Sequence, residues 1–352
     1  MRIGIYSPYF PMMGGGERFL LTLATYYSKK HDVSLIMDPN LTKRIHETFG
    51  IKVSGIKMIP AQSFLSLNAW QRYKFLVRFD VFFYTTDGSV FFSASKKNYL
   101  VIQSPTHIPS GKIINTLKMH NWHPVCYSNF MKEIIMTRLG QKAHVVPPAV
   151  DDVFFAKKKA EKQNIILTVG RFFPYPHSKN QEVLAQVFKS FARNALSGWR
   201  LVIAGGLTES GSINVVEKLK ELCRNTSIEL KINIGFKELL TLYKHAKIYW
   251  HAAGFGQDTL NYPERAEHFG ITTLEAMAAG AVPIVYPAGG QAELVKEADN
   301  GYHWKNVHEL IEKTVLLAQD EKLRKEVSLK AISSARLFST ANLQMVYENL
   351  LV

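Results

Sequence analysis

Apolar positions along the chain fall into short β-rich runs that alternate with stretches of helical spacing from one end to the other. The run over 3–7 leads into a Pro/Gly loop ending at Gly16. Phe19, Leu20, Leu23, Ala24 and Tyr27 then recur at helical spacing, which predicts a helix over 17–30. A second apolar run over 33–37 completes a strand–helix–strand unit, and such units build right-handed parallel sheets. Further strands are predicted over 81–84, 99–103, 125–127 and 144–146, with helices over 67–79 and 130–138. Pro147-Pro148 breaks the pattern, and 151–163 is polar and lysine-rich, including Lys157-Lys158-Lys159, with no apolar periodicity after Phe155. A domain boundary is placed there. A second series opens at Asn164, with strands predicted over 165–169, 200–204, 230–234, 248–252 and 281–286. Helices are predicted over 180–195, 213–224, 237–245, 271–279 and 291–298, and 307–351 reads as nearly all helical. The grammar of both halves is that of doubly wound α/β domains. In open parallel sheets of that kind, ligands sit at the carboxyl ends of the strands, so the strand–helix loops carry the interest.

Composition agrees with two globular domains. The 352 residues are 47% apolar and 20% charged, enough for each half to bury a core and too apolar for wholesale disorder. Two cysteines, Cys126 and Cys223, supply neither a disulfide framework nor a zinc cluster and fit a reducing cytoplasm. Runs such as 248–255 fall far short of the roughly 20 apolar residues that span a bilayer, and the first residues read as a buried strand rather than a signal peptide. Lys and Arg total 43 against 29 Asp and Glu, a net charge of +14, which favours an anionic partner. The cations are spread along the chain and no RNA-binding, zinc-finger or basic-helix signature occurs, so nucleic acid is not the expected partner.

Four loops bring chemistry into the picture. Gly14-Gly15-Gly16-Glu17 precedes the first predicted helix. Glycines there let backbone N–H groups approach a ligand, and a helix N-terminus favours an anion. Asp38 is the nearest acidic residue after the second strand. Gly170-Arg171 follows the first strand of the second half, with Lys179 at the start of the next helix, a pair of cations suited to a diphosphate. Glu267 and Glu275 stand eight apart around a Phe269-Gly270 turn. Glu267 is thereby expected in a loop, and Glu275 in the second turn of a helix whose Leu274 and Met277 face a core. A carboxylate so placed needs donors, and sugar or ribose hydroxyls are donors. Gly289-Gly290 before another predicted helix reads as a further anion site.

With these motifs the sequence resembles a GT4-family, retaining, nucleotide-sugar-dependent glycosyltransferase (glycosyl transferases group 1) of the GT-B fold. The resemblance covers most of the chain. It is carried by Gly14–Glu17, by Val146-Pro147-Pro148-Ala149-Val150-Asp151, by Val169-Gly170-Arg171 with Lys179-Asn180-Gln181, by the Glu-x7-Glu block followed by Ala276-Met277-Ala278-Ala279-Gly280, and by Gly289-Gly290 with Glu293. It implies two Rossmann-like sheets facing a cleft. An acceptor-side domain over 1–155 is completed by a C-terminal helix over 337–352, and a nucleotide-sugar domain lies over 156–336. It implies that Arg171 and Lys179 hold the donor diphosphate, that Glu275 takes the ribose hydroxyls, and that Glu267 lies at the donor sugar, as nucleophile or as a positioning group. The backbone at Gly170, Phe269, Gly270 and Ile271 helps seat the donor, and Gly15 and Gly16 let the first domain approach it. A histidine near the donor sugar is expected after the mid-domain strand. His107 and Gln103 compete for that place. Glu17, Asp87 and Gln103 fall on the acceptor side.

No cofactor is implied beyond the GDP- or UDP-linked sugar substrate. No metal is implied, and no Asp-x-Asp-like pair stands in the predicted loops. The implied reaction moves a hexose, by lean mannose, to a glycan or lipid-linked acceptor in glycolipid or surface-polysaccharide synthesis. A UDP-sugar-using transferase or epimerase of the same fold is the alternative, and a non-catalytic nucleotide- or nucleic-acid-binding α/β protein is the alternative from another class. The 67–79 segment mixes Trp70, Tyr73, Phe75, Leu76 and Phe79 with Arg72, Lys74 and Arg78. It suits either packing on the sheet or peripheral contact with an anionic inner membrane face. Tyr262, Glu264 and Arg265, in an insertion before the Glu block, suit either sugar or base selection or a plain surface loop.

Overall fold

The computed structural model describes residues 1–155, 161–174, 178–207 and 211–352. The lysine run Lys157-Lys158-Lys159 and the Tyr175-Pro176-His177 stretch lie outside the described residues. The chain divides into two compact units, Met1–Ala149 with Gln344–Val352, and Val150–Leu343. The change-over stands a few residues from the 155/156 and 336/337 boundaries read from the sequence. Val150 is the reason at the first crossing: its N–H donates to Phe338 O at 2.8 Å, which ties it to the second unit.

The first unit is a seven-stranded parallel sheet. Its strands are β1 (Arg2–Tyr6), β2 (Asp32–Ile36), β3 (Lys57–Ile59), β4 (Val81–Thr85), β5 (Lys97–Val101), β6 (His123–Cys126) and β7 (His144–Val145), in the order β3-β2-β1-β4-β5-β6-β7. All five residues of β4 are buried, as a strand covered on both faces requires. The helices are α1 (Gly15–Tyr27), α2 (Leu41–Phe49), α3 (Ala61–Leu65), α4 (Ala69–Leu76), α5 (Ile113–Met119) and α6 (Asn129–Leu139). The helix expected over 67–79 is present as the shorter α4, and a separate short helix, α3, precedes it. Asn68 starts α4 by accepting the Gln71 N–H at 2.9 Å, while Gln71 Oε1 accepts the Asn68 N–H at 3.0 Å. Leu76 and Phe79 turn into the core, leaving Trp70 and Tyr73 exposed.

The second unit is a six-stranded parallel sheet: β8 (Gln163–Val169), β9 (Arg200–Gly205), β10 (Ile228–Ile232), β11 (Ala246–His251), β12 (Val282–Val285) and β13 (Tyr302–His303), ordered β10-β9-β8-β11-β12-β13. Its helices are α7 (Gln181–Ala195), α8 (Ser212–Cys223), α9 (Phe236–His245), α10 (Ile271–Ala278), α11 (Gln291–Leu294), α12 (Val307–Gln319) and α13 (Glu321–Arg336). Its core gathers Phe188, Trp250, Trp304 and Leu310 between sheet and helices. The helix predicted over 291–298 stops after one turn. Beyond Leu294 the Lys296 N–H is taken by Asn300 Oδ1 at 2.7 Å, and Ala298 adopts a φ of 55°.

The last helix, α14 (Gln344–Asn349), belongs to the first unit. Tyr27 Oη donates to Tyr347 O at 2.7 Å and Tyr99 Oη to Leu350 O at 2.6 Å. Among the described residues no helix is long and apolar enough to cross a membrane.

Each sheet has a point where the chain reverses its direction of growth. In the first unit it lies between β1 and β4; in the second, between β8 and β11. The loops beyond the carboxyl ends of those pairs form the crevice in which doubly wound sheets bind ligands.

Candidate functional site

At the β8/β11 junction three charged or titratable side chains meet. Lys179 reaches in from the β8–α7 loop, His251 is the last residue of β11, and Glu267 lies in the loop before α10. Lys179 Nζ donates to Glu267 Oε2 at 2.8 Å, and His251 Nε2 lies 3.0 Å from the same oxygen. The side chains of Lys179, His251 and Glu267 are 26%, 3% and 16% accessible, so water does little to screen them. Burial on its own raises the Glu267 carboxyl, but the Lys179 ammonium and the bond from His251 outweigh it and hold it well below the ordinary carboxylate range. An ionised carboxylate only accepts, so Nε2 of His251 carries the proton. Burial lowers the imidazole below its usual value against the pull of Glu267, which keeps it neutral with Nδ1 unprotonated.

The backbone explains why these residues converge. A Cβ at Gly170 would stand 2.9 Å from Lys179 Cγ, so glycine there lets the lysine stem lie across the strand end. Asn180 takes a left-handed φ of 52° and its Nδ2 donates to Ala252 O at 2.9 Å and Phe255 O at 3.0 Å, which clamps the lysine loop to the β11 loop. Gln181 Nε2 donates to the carbonyls of Gly170 and Arg171, each at 3.2 Å. The Arg171 guanidinium lies 4.2 Å from the centre of the Phe173 ring.

Gly270, at φ 105°, caps α10, which opens at Ile271. Tyr249 Oη donates to Thr272 Oγ1 at 2.8 Å and Gln291 Nε2 to Thr273 Oγ1 at 2.9 Å, fixing the first turn of α10. Glu275 is in the second turn, as the spacing predicts, and is 3% exposed. The Phe269 ring packs 5.9 Å from that of Phe338.

Gly289-Gly290, read in the sequence as an anion site, packs closely on the Glu267 loop. The Gly290 N–H donates to Glu267 O at 2.7 Å, and a Cβ at 290 would meet Phe269 Cα at 2.5 Å and its carbonyl oxygen at 2.6 Å. The two glycines let this loop pack directly on the Glu267–Phe269 backbone, and the helix they open is a single turn. Arg265, in the insertion before Glu267, stacks 4.0 Å from the centre of the Tyr262 ring, next to Glu264 in the turn Pro263–Arg265.

The first unit gathers its candidates at the carboxyl ends of β1, β4 and β5. Glu17 is 3% exposed and accepts the Gly14 N–H at 2.9 Å, and Gln103 Nε2 donates to its other oxygen at 3.3 Å. Glu17 and Gln103, both expected on the acceptor side, thus brace the glycine loop. Gly16 packs against the Gln103 amide, and Gly15 is the first residue of α1. His107 stacks on Tyr9 with ring centres 5.1 Å apart, and its Nε2 lies 3.3 Å from Tyr9 Oη. Asp87 Oδ1 accepts the Ser89 N–H at 3.0 Å. Burial raises the Asp87 carboxyl and its hydrogen bonds lower it, with a net fall below the ordinary value.

Sequence reasoning missed His251. The signal it left was a polar residue closing the apolar run Ile248-Tyr249-Trp250, at the end of a strand where ligands bind. Among the described residues no group of three or more His, Cys, Asp and Glu is gathered in a way that could hold a metal ion.

Comparison with known proteins bears directly on the second unit. Residues 150–334 match the family described as Glycosyl transferases group 1. A GDP-Man:Man(3)GlcNAc(2)-PP-Dol alpha-1,2-mannosyltransferase of Dictyostelium discoideum is 27% identical over 228 residues, 61% of this chain and 43% of the relative. The Mus musculus protein of the same description is 28% identical over 163 residues, 44% of this chain and 31% of its own. The chain thus spans less than half the length of these relatives. Among solved structures, Anabaena Alr3699/HepE in complex with UDP and glucose superposes with a TM-score of 0.74 at 15% identity, covering 99% of this chain and 98% of that one. WaaG, a glycosyltransferase involved in lipopolysaccharide biosynthesis, gives 0.68 at 13%, with 99% of each chain covered. The two parallel sheets, the Glu-x7-Glu helix and the matched residues together establish that this chain belongs to the glycosyl transferases group 1 family, of GT4 type and GT-B fold.

Proposed function

We propose that the chain is a retaining hexosyltransferase that moves mannose from GDP-mannose to a hydroxyl of a glycan or lipid-linked glycan, without a metal. The observation that carries this reading is the Lys179–Glu267–His251 junction at the strand ends of the second unit. The mannosyltransferase descriptions of the relatives support mannose and a lipid-linked acceptor.

In the proposed reaction the bond between the anomeric carbon and the diphosphate oxygen breaks, and the acceptor oxygen attacks from the same face. The acceptor proton passes to the departing phosphate. Positive charge builds on the sugar ring and negative charge on the diphosphate. Arg171 and Lys179 carry the latter, and preorganised charge of this kind is usually the largest catalytic contribution. Glu267 accepts hydroxyls of the sugar, and Glu275 those of the ribose. His107, Asp87 and the Gly15-Gly16 loop serve the side on which the acceptor and sugar lie. Tyr262, Glu264 and Arg265 select the sugar or base.

The acceptor side also suits contact with an anionic membrane face in the cytoplasm. Trp70 and Tyr73 are 63% and 45% exposed and stack nearly parallel, with Lys74 5.0 Å from the Trp70 ring centre. Ile113, Ile114 and Leu117 of α5 are exposed as well. Aromatic residues beside cations suit a lipid headgroup layer.

The test is product analysis with radiolabelled GDP-mannose and lipid-linked glycan acceptors, with UDP-glucose as the competing donor. Transfer of mannose with an α-linkage, undiminished by EDTA, is expected. Transfer from UDP-glucose alone, an inverted linkage, or a strict divalent-metal requirement would each overturn the corresponding part.

A further inference from the structure

Two donors meet one oxygen of Glu267, and the reaction proposed above needs one of them elsewhere. Lys179 Nζ donates to Glu267 Oε2 at 2.8 Å. Once a diphosphate arrives, the ammonium has a doubly anionic competitor. A lone carboxylate left in so enclosed a place either protonates or swings away, because a buried charge without a partner is costly. His251 is the group that remains. Its imidazole is 3% accessible, its Nε2 lies 3.0 Å from the same oxygen, and its backbone carbonyl accepts the Trp304 Nε1–H at 3.1 Å, anchoring the strand end. Nδ1 is buried with no hydrogen-bond partner among the described residues. A second proton there would find no acceptor, so the ring serves as a fixed neutral donor. The bonds from Lys179 and His251 both fall on Oε2, which leaves Oε1 to accept from a ligand.

Resting on that reading, we propose that His251 is a positioning residue that holds and aims the Glu267 carboxylate while Lys179 passes from Glu267 to the donor diphosphate. Asn180 makes the exchange short-ranged. It ties the Lys179 backbone to Ala252 and Phe255, so only the side chain of Lys179 has to move. Among the described residues, Lys179 from the β8–α7 loop and Tyr249 from the same strand face the pair, and the Tyr249 phenol stays neutral, pushed up by burial.

The test compares wild type, His251→Leu and His251→Gln. It measures GDP-mannose turnover, as released mannose, across a pH range of about 4–9, and the binding of GDP and of GDP-mannose by calorimetry. The amide of the glutamine variant can reach where Nε2 stands. The leucine variant is expected to lower kcat by a factor on the order of 10–100, the range for a lost hydrogen bond to a charged group, and to move the acid limb of the pH profile upward. The glutamine variant is expected to restore most of both. GDP alone should bind all three proteins alike, because Glu267 faces the sugar. Wild-type kcat and pH profile in the leucine variant overturn the inference. So does an equal loss of GDP and GDP-mannose binding, which would mark a merely structural role. Glu267→Gln and Lys179→Ala are run alongside. If neither changes GDP-mannose turnover, the donor-site reading itself fails; if both do and His251→Leu does not, only the role of His251 fails.

Discussion

The two units place their candidate residues at the same topological position and fill it with opposite chemistry. At β8/β11 an ammonium and an imidazole meet on one carboxylate oxygen. At the carboxyl ends of β1, β4 and β5 the pairs are softer: a tyrosine on a histidine, and an amide on a helix-capping carboxylate. In the proposed function the charged crevice takes the diphosphate and the hydrogen-bonding one the hydroxyls. The sheet sets where a site stands, and the loop residues set what it does. Glycine shows the same contrast. Gly290 meets backbone, whereas Gly16 meets the movable end of Gln103.

The comparison breaks most visibly at the charged crevice. Arg171→Ala is expected to lower donor turnover by a factor on the order of 10²–10³, the usual loss for one electrostatic donor to a developing anion. His107→Ala is expected to cost less in the same assay. Lys179→Ala leaves Glu267 enclosed without its main counter-charge, and urea unfolding should show a loss of about 3 kcal/mol, the low end for breaking a buried pair. Gly290→Ala should destabilise by about 1–3 kcal/mol, because the backbone of Phe269 cannot give way. Gly16→Ala should cost less in the same unfolding experiment, since Gln103 can rotate aside.

The smallest effect is in pH. The folded-state pKa of Glu267 is depressed, so its ionisation contributes stability that is present above the unfolded value of 4.5 and lost as pH falls through the lower folded value. The melting temperature should therefore show no pH dependence from Glu267 above about pH 5.5, roughly one unit clear of that unfolded value. In Lys179→Ala the folded value rises toward or above the unfolded one, so the acid fall due to Glu267 should shrink or reverse.

These comparisons rest on features of uneven legibility in the sequence. Parallel strands buried on both faces read as unbroken apolar runs, so β1, β4, β8 and β11 are visible to within a few residues. Glu267 and Glu275 are visible because a turn and a helix fix their spacing locally. His251 is not, because one polar residue at a strand end carries no periodicity. The packing role of Gly289-Gly290 depends on a chain segment some twenty residues earlier, which local pattern cannot report. The start of α4 is written in Asn68 and Gln71, three apart, a capping pair that apolar spacing alone does not report.

The central claim is that the charged crevice of the second unit binds a sugar nucleotide through its diphosphate. A thermal-shift comparison of wild type with Lys179→Ala and Glu275→Ala, against GDP, UDP, ADP, dTDP and their common sugars, tests it most directly. The account predicts stabilisation of the wild type by one nucleotide class, with GDP first, and a diminished shift in both variants. A shift retained in full by both variants, or none with any nucleotide at millimolar concentration, would contradict it.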